Sequence, residues 1–134
     1  MLRIARSSTL TRTILLVDDE PDVRRVIERM LGHLGFQVLP AQDGPDALTV
    51  LARHQEPVDL LVTDLQMPGM DGRELARRFA ELRPGAGVLF LSGNADIGDD
   101  NQERAIVGAR FLPKPFTSKE LAAQIHALLG EVSP

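Results

Sequence analysis

Val58-Asp59-Leu60-Leu61-Val62-Thr63-Asp64-Leu65-Gln66-Met67-Pro68-Gly69-Met70-Asp71-Gly72 is the stretch that decides the fold. Val58 to Thr63 reads as a short, mostly apolar strand that ends at Asp64. The segment after it, 65–72, is dense in residues that break regular structure, with Pro68, Gly69 and Gly72 close together. A helix is predicted over about 72–82, and Arg83-Pro84-Gly85 closes it. The unit is therefore strand, acid, loop, helix, with the acid at the carboxyl end of the strand.

The same rhythm runs outward in both directions. Upstream, Ile14-Leu15-Leu16-Val17 is a buried-strand signal that stops at Asp18-Asp19-Glu20-Pro21. Pro21 suits the first turn of a helix, where a missing amide proton costs nothing. Val23, Val26, Ile27, Met30, Leu31 and Leu34 then follow at helical spacing over 22–34, and Gly35 stops the run. Phe36 to Pro40 reads as a second strand, Asp43-Gly44 as a turn, and Ala47, Leu48, Val50 and Leu51 as the apolar side of a second helix. Downstream, Gly87-Val88-Leu89-Phe90-Leu91 is a fourth strand followed by the polar Ser92-Gly93-Asn94. A weak fourth helix is predicted within 101–107, and Ala109 to Leu112 makes a fifth strand. Thr117 with Glu120 three residues later has the spacing of a capping box. Leu121, Ile125, Leu128 and Leu129 line the last helix, which Gly130 ends. Five strands alternating with five helices predict a doubly wound α/β domain with a parallel sheet. The continuous apolar character of strands one, three and four predicts coverage on both faces.

The totals exclude several classes. A chain of 134 residues suits one domain, expected over 14–130, with a disordered leader at 1–13 and a short tail at 131–134. The apolar share of 43% and charged share of 25% are those of a globular protein. No cysteine is present, which removes disulfides and thiolate chemistry and fits a reducing, cytoplasmic setting. A net charge of -4 argues against direct nucleic-acid binding. No apolar run nears the roughly 18 residues of a membrane span, so no membrane insertion is expected.

In an open α/β sheet, ligands bind beyond the carboxyl ends of the strands. Asp18 and Asp19 leave strand one there, Asp64 strand three, Ser92 strand four, and Lys114 follows strand five. If strands one and three are neighbours, three carboxylates converge. Their repulsion calls for a cation, and an all-oxygen donor set favours Mg²⁺, with Mn²⁺ as a second choice. A carboxylate so placed can also be a nucleophile toward phosphorus. Lys114 could balance charge on a transferred phosphoryl group and Ser92 donate to it. Each residue alone has a plainer reading: Asp-Asp as a turn or cap, Asp64 as an ordinary strand-end acid, Ser92 and Lys114 as loop and surface residues. Joint placement at successive strand ends favours the site. His33, His54 and His126 fall in or beside helices, away from it.

Residues 14–129 resemble the receiver domain of two-component response regulators, both the chemotaxis type and those of hybrid histidine kinases. The resemblance rests on Ile14-Leu15-Leu16-Val17-Asp18-Asp19-Glu20, on Leu61 to Gly72 around Asp64, on Leu91-Ser92-Gly93, and on Phe111-Leu112-Pro113-Lys114-Pro115-Phe116. It implies the flavodoxin-like strand order 2-1-3-4-5. It implies that Asp64 takes a phosphoryl group from phosphohistidine, the chain catalysing its own phosphorylation and dephosphorylation. Asp19 would ligate Mg²⁺ directly, Asp18 through bound water, and Gln66 through its backbone carbonyl. Ser92, the Gly93 amide and Lys114 would hold the phosphoryl oxygens, with a cis Lys114-Pro115 bond aiming the lysine inward. Ser92 and Phe111 would form the switch, while Gln66 and Asn94 would tune the phosphate lifetime. A histidine kinase or histidine phosphotransfer protein would dock on Pro21, Val23, Arg24 and Ile27 with Pro115 and Phe116, and a downstream protein target would read the result.

The stretch Asn94 to Asn101 is polar, and its Gly98 argues for a loop and a short fourth helix. That argues against a standard dimer through this region, so a monomer or weak dimer is expected. Asp96, Asp99 and Asp100 read as a solvated acidic loop. Two other classes compete with the phosphoacceptor. A small aspartyl-nucleophile phosphatase would want a second acid two residues past Asp64, where Gln66 stands. A non-phosphorylated interaction module would be expected to lose part of the acid and lysine set, and all of it is present. A dinucleotide-binding domain would need a glycine-rich loop where Asp18-Asp19-Glu20-Pro21 stands.

Overall fold

The computed structural model describes residues 11–93 and 109–130. Its elements are β1 (Thr13–Val17), α1 (Pro21–His33), β2 (Gln37–Ala41), α2 (Gly44–Arg53), β3 (Leu60–Asp64), α3 (Gly72–Leu82), β4 (Gly87–Ser92), β5 (Ala109–Pro113) and α4 (Ser118–Leu129). The five strands form one parallel sheet in the order β2-β1-β3-β4-β5. The order expected from the resemblance is the order found. The predicted leader up to residue 10, the weak helix within 101–107, the acids Asp96, Asp99 and Asp100, and the tail lie outside the described residues.

Period-two alternation sends neighbouring strand residues to opposite faces. Leu15, Val17, Leu61, Val88 and Phe90 pack with Ala47, Leu51, Leu75 and Phe79 of α2 and α3. Ile14, Leu16, Leu60, Val62, Leu89 and Leu91 pack with Ile27 and Leu31 of α1 and Leu121 and Ile125 of α4. Every residue of β1 and β3 is buried, as a strand covered on both faces must be. The edge strands β2 and β5 are only partly covered. Each fully buried Leu or Phe contributes about 1.5–3 kcal/mol, so these two layers carry the fold.

Local chemistry sets the element ends. Asp43 and Asp71 accept the backbone N–H of Asp46 and Glu74 at the starts of α2 and α3. Thr117 and Glu120 form the reciprocal capping box of α4 that their spacing predicts. Gly130 ends that helix with φ 71°, a left-handed conformation natural to glycine.

The starts of β2 and β3 differ from expectation for clear reasons. The second strand begins at Gln37, not Phe36, because the Phe36 N–H is taken by the Leu31 carbonyl at the end of α1. The third begins at Leu60, not Val58, because Asp59 serves as an anchor: its N–H donates to the Thr13 carbonyl, and its carboxylate accepts the Thr13 N–H at 2.8 Å. Among the described residues no helix is long and apolar enough to cross a membrane.

Candidate functional site

Strands β1 and β3 run side by side with Val17 opposite Thr63. The residues that follow, Asp18 and Asp64, therefore meet at the carboxyl edge of the sheet. One carboxylate oxygen from each of Asp18, Asp19 and Asp64 lies within 4.8 Å of the other two. Asp18 is fully enclosed and Asp64 is only 6% exposed, whereas Asp19 faces solvent.

The turn after β1 is tightly held. Asp18 Oδ1 accepts the Glu20 N–H at 2.9 Å, the self-closing turn typical of aspartate. The Asp18 carbonyl accepts Arg24 Nη1 at 2.7 Å. From the far side of the sheet, Lys114 Nζ sits 2.5 Å from Asp64 Oδ1 and 3.5 Å from Asp18 Oδ2. The Lys114 N–H donates to the Ser92 carbonyl at 2.8 Å, so the ends of β4 and β5 are tied together. The Lys114-Pro115 bond is cis, as expected.

Asp64 stands on a close backbone approach. Thr63 Oγ1 donates to the Asp64 carbonyl at 3.0 Å, and the Gly72 N–H donates to the Leu65 carbonyl at 2.8 Å. A Cβ on Gly72 would lie 2.1 Å from the Asp64 carbonyl oxygen. Only glycine fits there, which fixes the loop 65–71 behind the acid.

Charge at this edge is unbalanced. Burial pushes the Asp64 carboxyl up to about 7, with the Lys114 hydrogen bond pulling it down and the Asp18 charge pushing it up again. Burial pulls the Lys114 ammonium down, but its bond to Asp64 and the charges of Asp64 and Asp18 outweigh that and hold it above its ordinary value. Ser92 Oγ is buried and has no hydrogen-bond partner among the described residues. A buried hydroxyl without a partner among the described residues and three crowded carboxylates give this edge the capacity to take up a cation and an anion. The donors are all oxygen, so the cluster fits a hard divalent cation.

The other predicted residues fall around this centre. Gly93 is half-buried beside Ser92, and the Gln66 side chain is exposed in the loop after β3. Phe111 is half-buried on β5 with its ring 5.3 Å from that of Phe90. Asn94 lies outside the described residues. Val23, Val26, Ile27, Met30, Pro115 and Phe116 line an apolar groove of about 360 Å³ that reaches Lys114. None of the three histidines joins the acid cluster: His33 ends α1, His54 follows α2, and His126 lies against Phe36 on α4.

Two contributors had no usable signal in the sequence. Gly72 reads as one breaker among several, and Arg24, expected only on the partner-docking face, has nothing in the sequence to direct its side chain to the Asp18 carbonyl.

Residues 14–126 match the family model described as the response regulator receiver domain. The response regulator receiver protein CpdR of Brucella abortus is 36% identical over 118 residues, covering 88% of this chain and 97% of that protein. The sensor kinase CckA of the same organism is 37% identical over 117 residues, covering 87% of this chain and 12% of that protein. The crystal structure of a response regulator receiver protein from Sinorhizobium medicae superposes with a TM-score of 0.80 at 30% identity, covering 90% of this chain and 95% of that one. The chain spans about half the length of other curated relatives that it matches. With an aspartate cluster at the carboxyl edge of a 2-1-3-4-5 sheet, the chain belongs to the response regulator receiver domain family and is a phosphoacceptor signalling domain.

Proposed function

We propose that Asp64 is the phosphoacceptor, that Mg²⁺ is held by Asp19, Asp64 and the Gln66 carbonyl with Asp18 acting through bound water, and that the donor is the phosphohistidine of a histidine kinase or phosphotransfer protein. The observation that carries this reading is the Asp64 carboxylate, buried at the end of β3, 2.5 Å from Lys114 and within 4.8 Å of Asp18 and Asp19. When bound, the cation neutralises the crowded carboxylates and the incoming phosphoryl oxygens. An ionised Asp64 oxygen attacks phosphorus, the phosphorus–nitrogen bond to the donor imidazole breaks, and the electron pair leaves with that nitrogen. Lys114 then turns from Asp64 to a phosphoryl oxygen, while Ser92 Oγ and the Gly93 N–H donate to others. Such transfer depends on positioning and fixed charge more than on a strong base.

Movement of Ser92 toward the phosphoryl group opens space on its own side of the sheet, and Phe111, whose ring lies tilted against that of Phe90, repacks in response. Having no hydroxyl, Phe111 signals by packing alone. Gln66 and Asn94, both neutral, flank the path of hydrolytic water and set the phosphate lifetime. The groove between α1 and Pro115-Phe116 receives the partner helix; the likeness to the sensor kinase CckA supports a kinase or phosphotransfer partner. A further protein target reads the phosphorylated state.

Intact mass after incubation with acetyl phosphate tests the assignment. A gain of one phosphoryl group is expected with Mg²⁺, and none is expected with chelator or in Asp64→Asn. A modified Asp64→Asn protein would reject Asp64 as the acceptor.

A further inference from the structure

We propose that Arg24 is a positioning residue for the metal-binding turn, acting through the Asp18 carbonyl rather than touching the reacting groups. The proposal rests on the phosphoacceptor reading above. Arg24 lies in the first turns of α1, and its Nη1 donates to the Asp18 carbonyl at 2.7 Å. Its backbone N–H donates to the Glu20 carbonyl at 2.9 Å. The Asp18 carboxylate meanwhile takes the Glu20 N–H at 2.9 Å. The segment 18–20 is thus closed by three hydrogen bonds, two of them from Arg24. Asp19, the one exposed member of the cluster, sits in the middle of that closed turn, with no side-chain hydrogen bond of its own among the described residues.

The neighbouring Arg25 provides the contrast. It pairs with Asp22 on the open surface of the same helix at 2.8 Å, where such a pair contributes little. Arg24 instead is half-buried and directs its guanidinium to the backbone carbonyl of Asp18. It therefore holds the backbone from which Asp19 projects. Groups behind a metal's direct ligands tune affinity in this way.

The test uses the whole chain, Arg24→Ala and Arg24→Lys, with Mg²⁺ titrated into metal-free protein by calorimetry and acetyl phosphate labelling followed by mass across Mg²⁺ concentrations. Acetyl phosphate needs no docked partner, so effects on the kinase-facing groove do not enter. Arg24→Ala should weaken Mg²⁺ binding about ten-fold and raise the Mg²⁺ needed for half-maximal labelling by the same factor. The labelling rate at saturating Mg²⁺ should stay near wild type. Arg24→Lys, which keeps a charge and a donor, should recover most of the affinity. Unchanged Mg²⁺ binding in Arg24→Ala would overturn the proposal, as would a defect that persists at saturating Mg²⁺ or that Arg24→Lys fails to relieve. Failure of the wild-type protein to label would instead strike the phosphoacceptor reading, while the calorimetry would still decide Arg24.

Discussion

The two ends of the central strands carry buried polar groups, and they treat them oppositely. At the amino end, Asp59 gives one oxygen to the Thr13 N–H at 2.8 Å and the other to Arg12 at 3.5 Å. Arg83 reaches from the end of α3 to the His54 and Leu51 carbonyls at 2.7 and 3.3 Å, closing the end of α2. Arg83 Nε and His54 Nε2 lack partners among the described residues, but the one acid, Asp59, is matched by Arg12 and the Thr13 N–H. At the carboxyl end, three acids crowd together, burial pushes the Asp64 carboxyl up to about 7, and Ser92 Oγ has no partner among the described residues. The matched end holds the strands in register. The unmatched end keeps interaction capacity in reserve for a cation and a phosphoryl group, and it does so at a cost in stability.

The strongest way to break this contrast is Asp64→Asn. Labelling by acetyl phosphate should fall at least about 100-fold, because the nucleophile is gone. The same change should stabilise the metal-free protein, and by more as the pH rises. Between about pH 4 and about pH 7 the folded protein keeps the Asp64 proton that the unfolded chain has already lost. Stability of the wild type therefore falls as the pH rises through that window, and the penalty is complete above it. Melting curves of both proteins without metal should diverge from about pH 4 to about pH 7 and run parallel above it, and Mg²⁺ should narrow the gap at the upper end. Curves parallel throughout would mean that the carboxyl end carries no reserve of unmatched charge.

Gly72→Ala tests the same end through sterics. The new Cβ would meet the Asp64 carbonyl oxygen at 2.1 Å and the Leu65 Cα at 3.0 Å, both backbone atoms that cannot swing aside. A loss of about 3 kcal/mol is expected in urea unfolding, with slowed labelling because Asp64 and Leu65 must move. Near-wild-type stability would show that the loop behind Asp64 is pliant.

How much of this was legible in the sequence follows from range. Burial on both faces writes itself as continuous apolar runs, so β1, β3 and β4 could be anticipated, while their order in the sheet was implied only by the family resemblance. Acids that stop such runs are equally visible, and Asp18, Asp19, Asp64 and Lys114 do converge. Asp59 misled because it sits inside an apolar run, where a polar residue looks like a strand position; its role depends on Thr13, 46 residues away. Arg24 and Gly72 act through backbone carbonyls, and a carbonyl has no residue type to read. Ser92 could be placed at its strand end, but that its hydroxyl is buried without a partner among the described residues is a matter of three-dimensional packing.

Asp59→Ala probes the matched end. It leaves the N–H of Thr13, itself 6% exposed, without its acceptor. That should cost about 1–3 kcal/mol in urea unfolding, while the ion pair with the half-exposed Arg12 adds little. Labelling and Mg²⁺ affinity should be unchanged where the protein is folded. A labelling defect in folded Asp59→Ala would mean that the two ends are coupled through β1 and β3 and do not divide stability from function.

The smallest effect is expected from Thr117→Ala, and it separates position from charge. Thr117 lies three residues past Lys114, at the reactive end of the sheet, yet its groups are matched. Its Oγ1 accepts the Glu120 N–H at 3.1 Å, and its own N–H donates to Glu120 Oε1 at 2.8 Å. Removing the cap should cost about 1 kcal/mol, read as a lower urea midpoint at constant slope. Proximity to the site should not matter, because nothing at Thr117 is held in reserve for a ligand. Mg²⁺ affinity and labelling should therefore match wild type. If they fell with the helix cap, nearness to the carboxyl edge would itself carry function, and the distinction between matched and unmatched polar groups would lose its force.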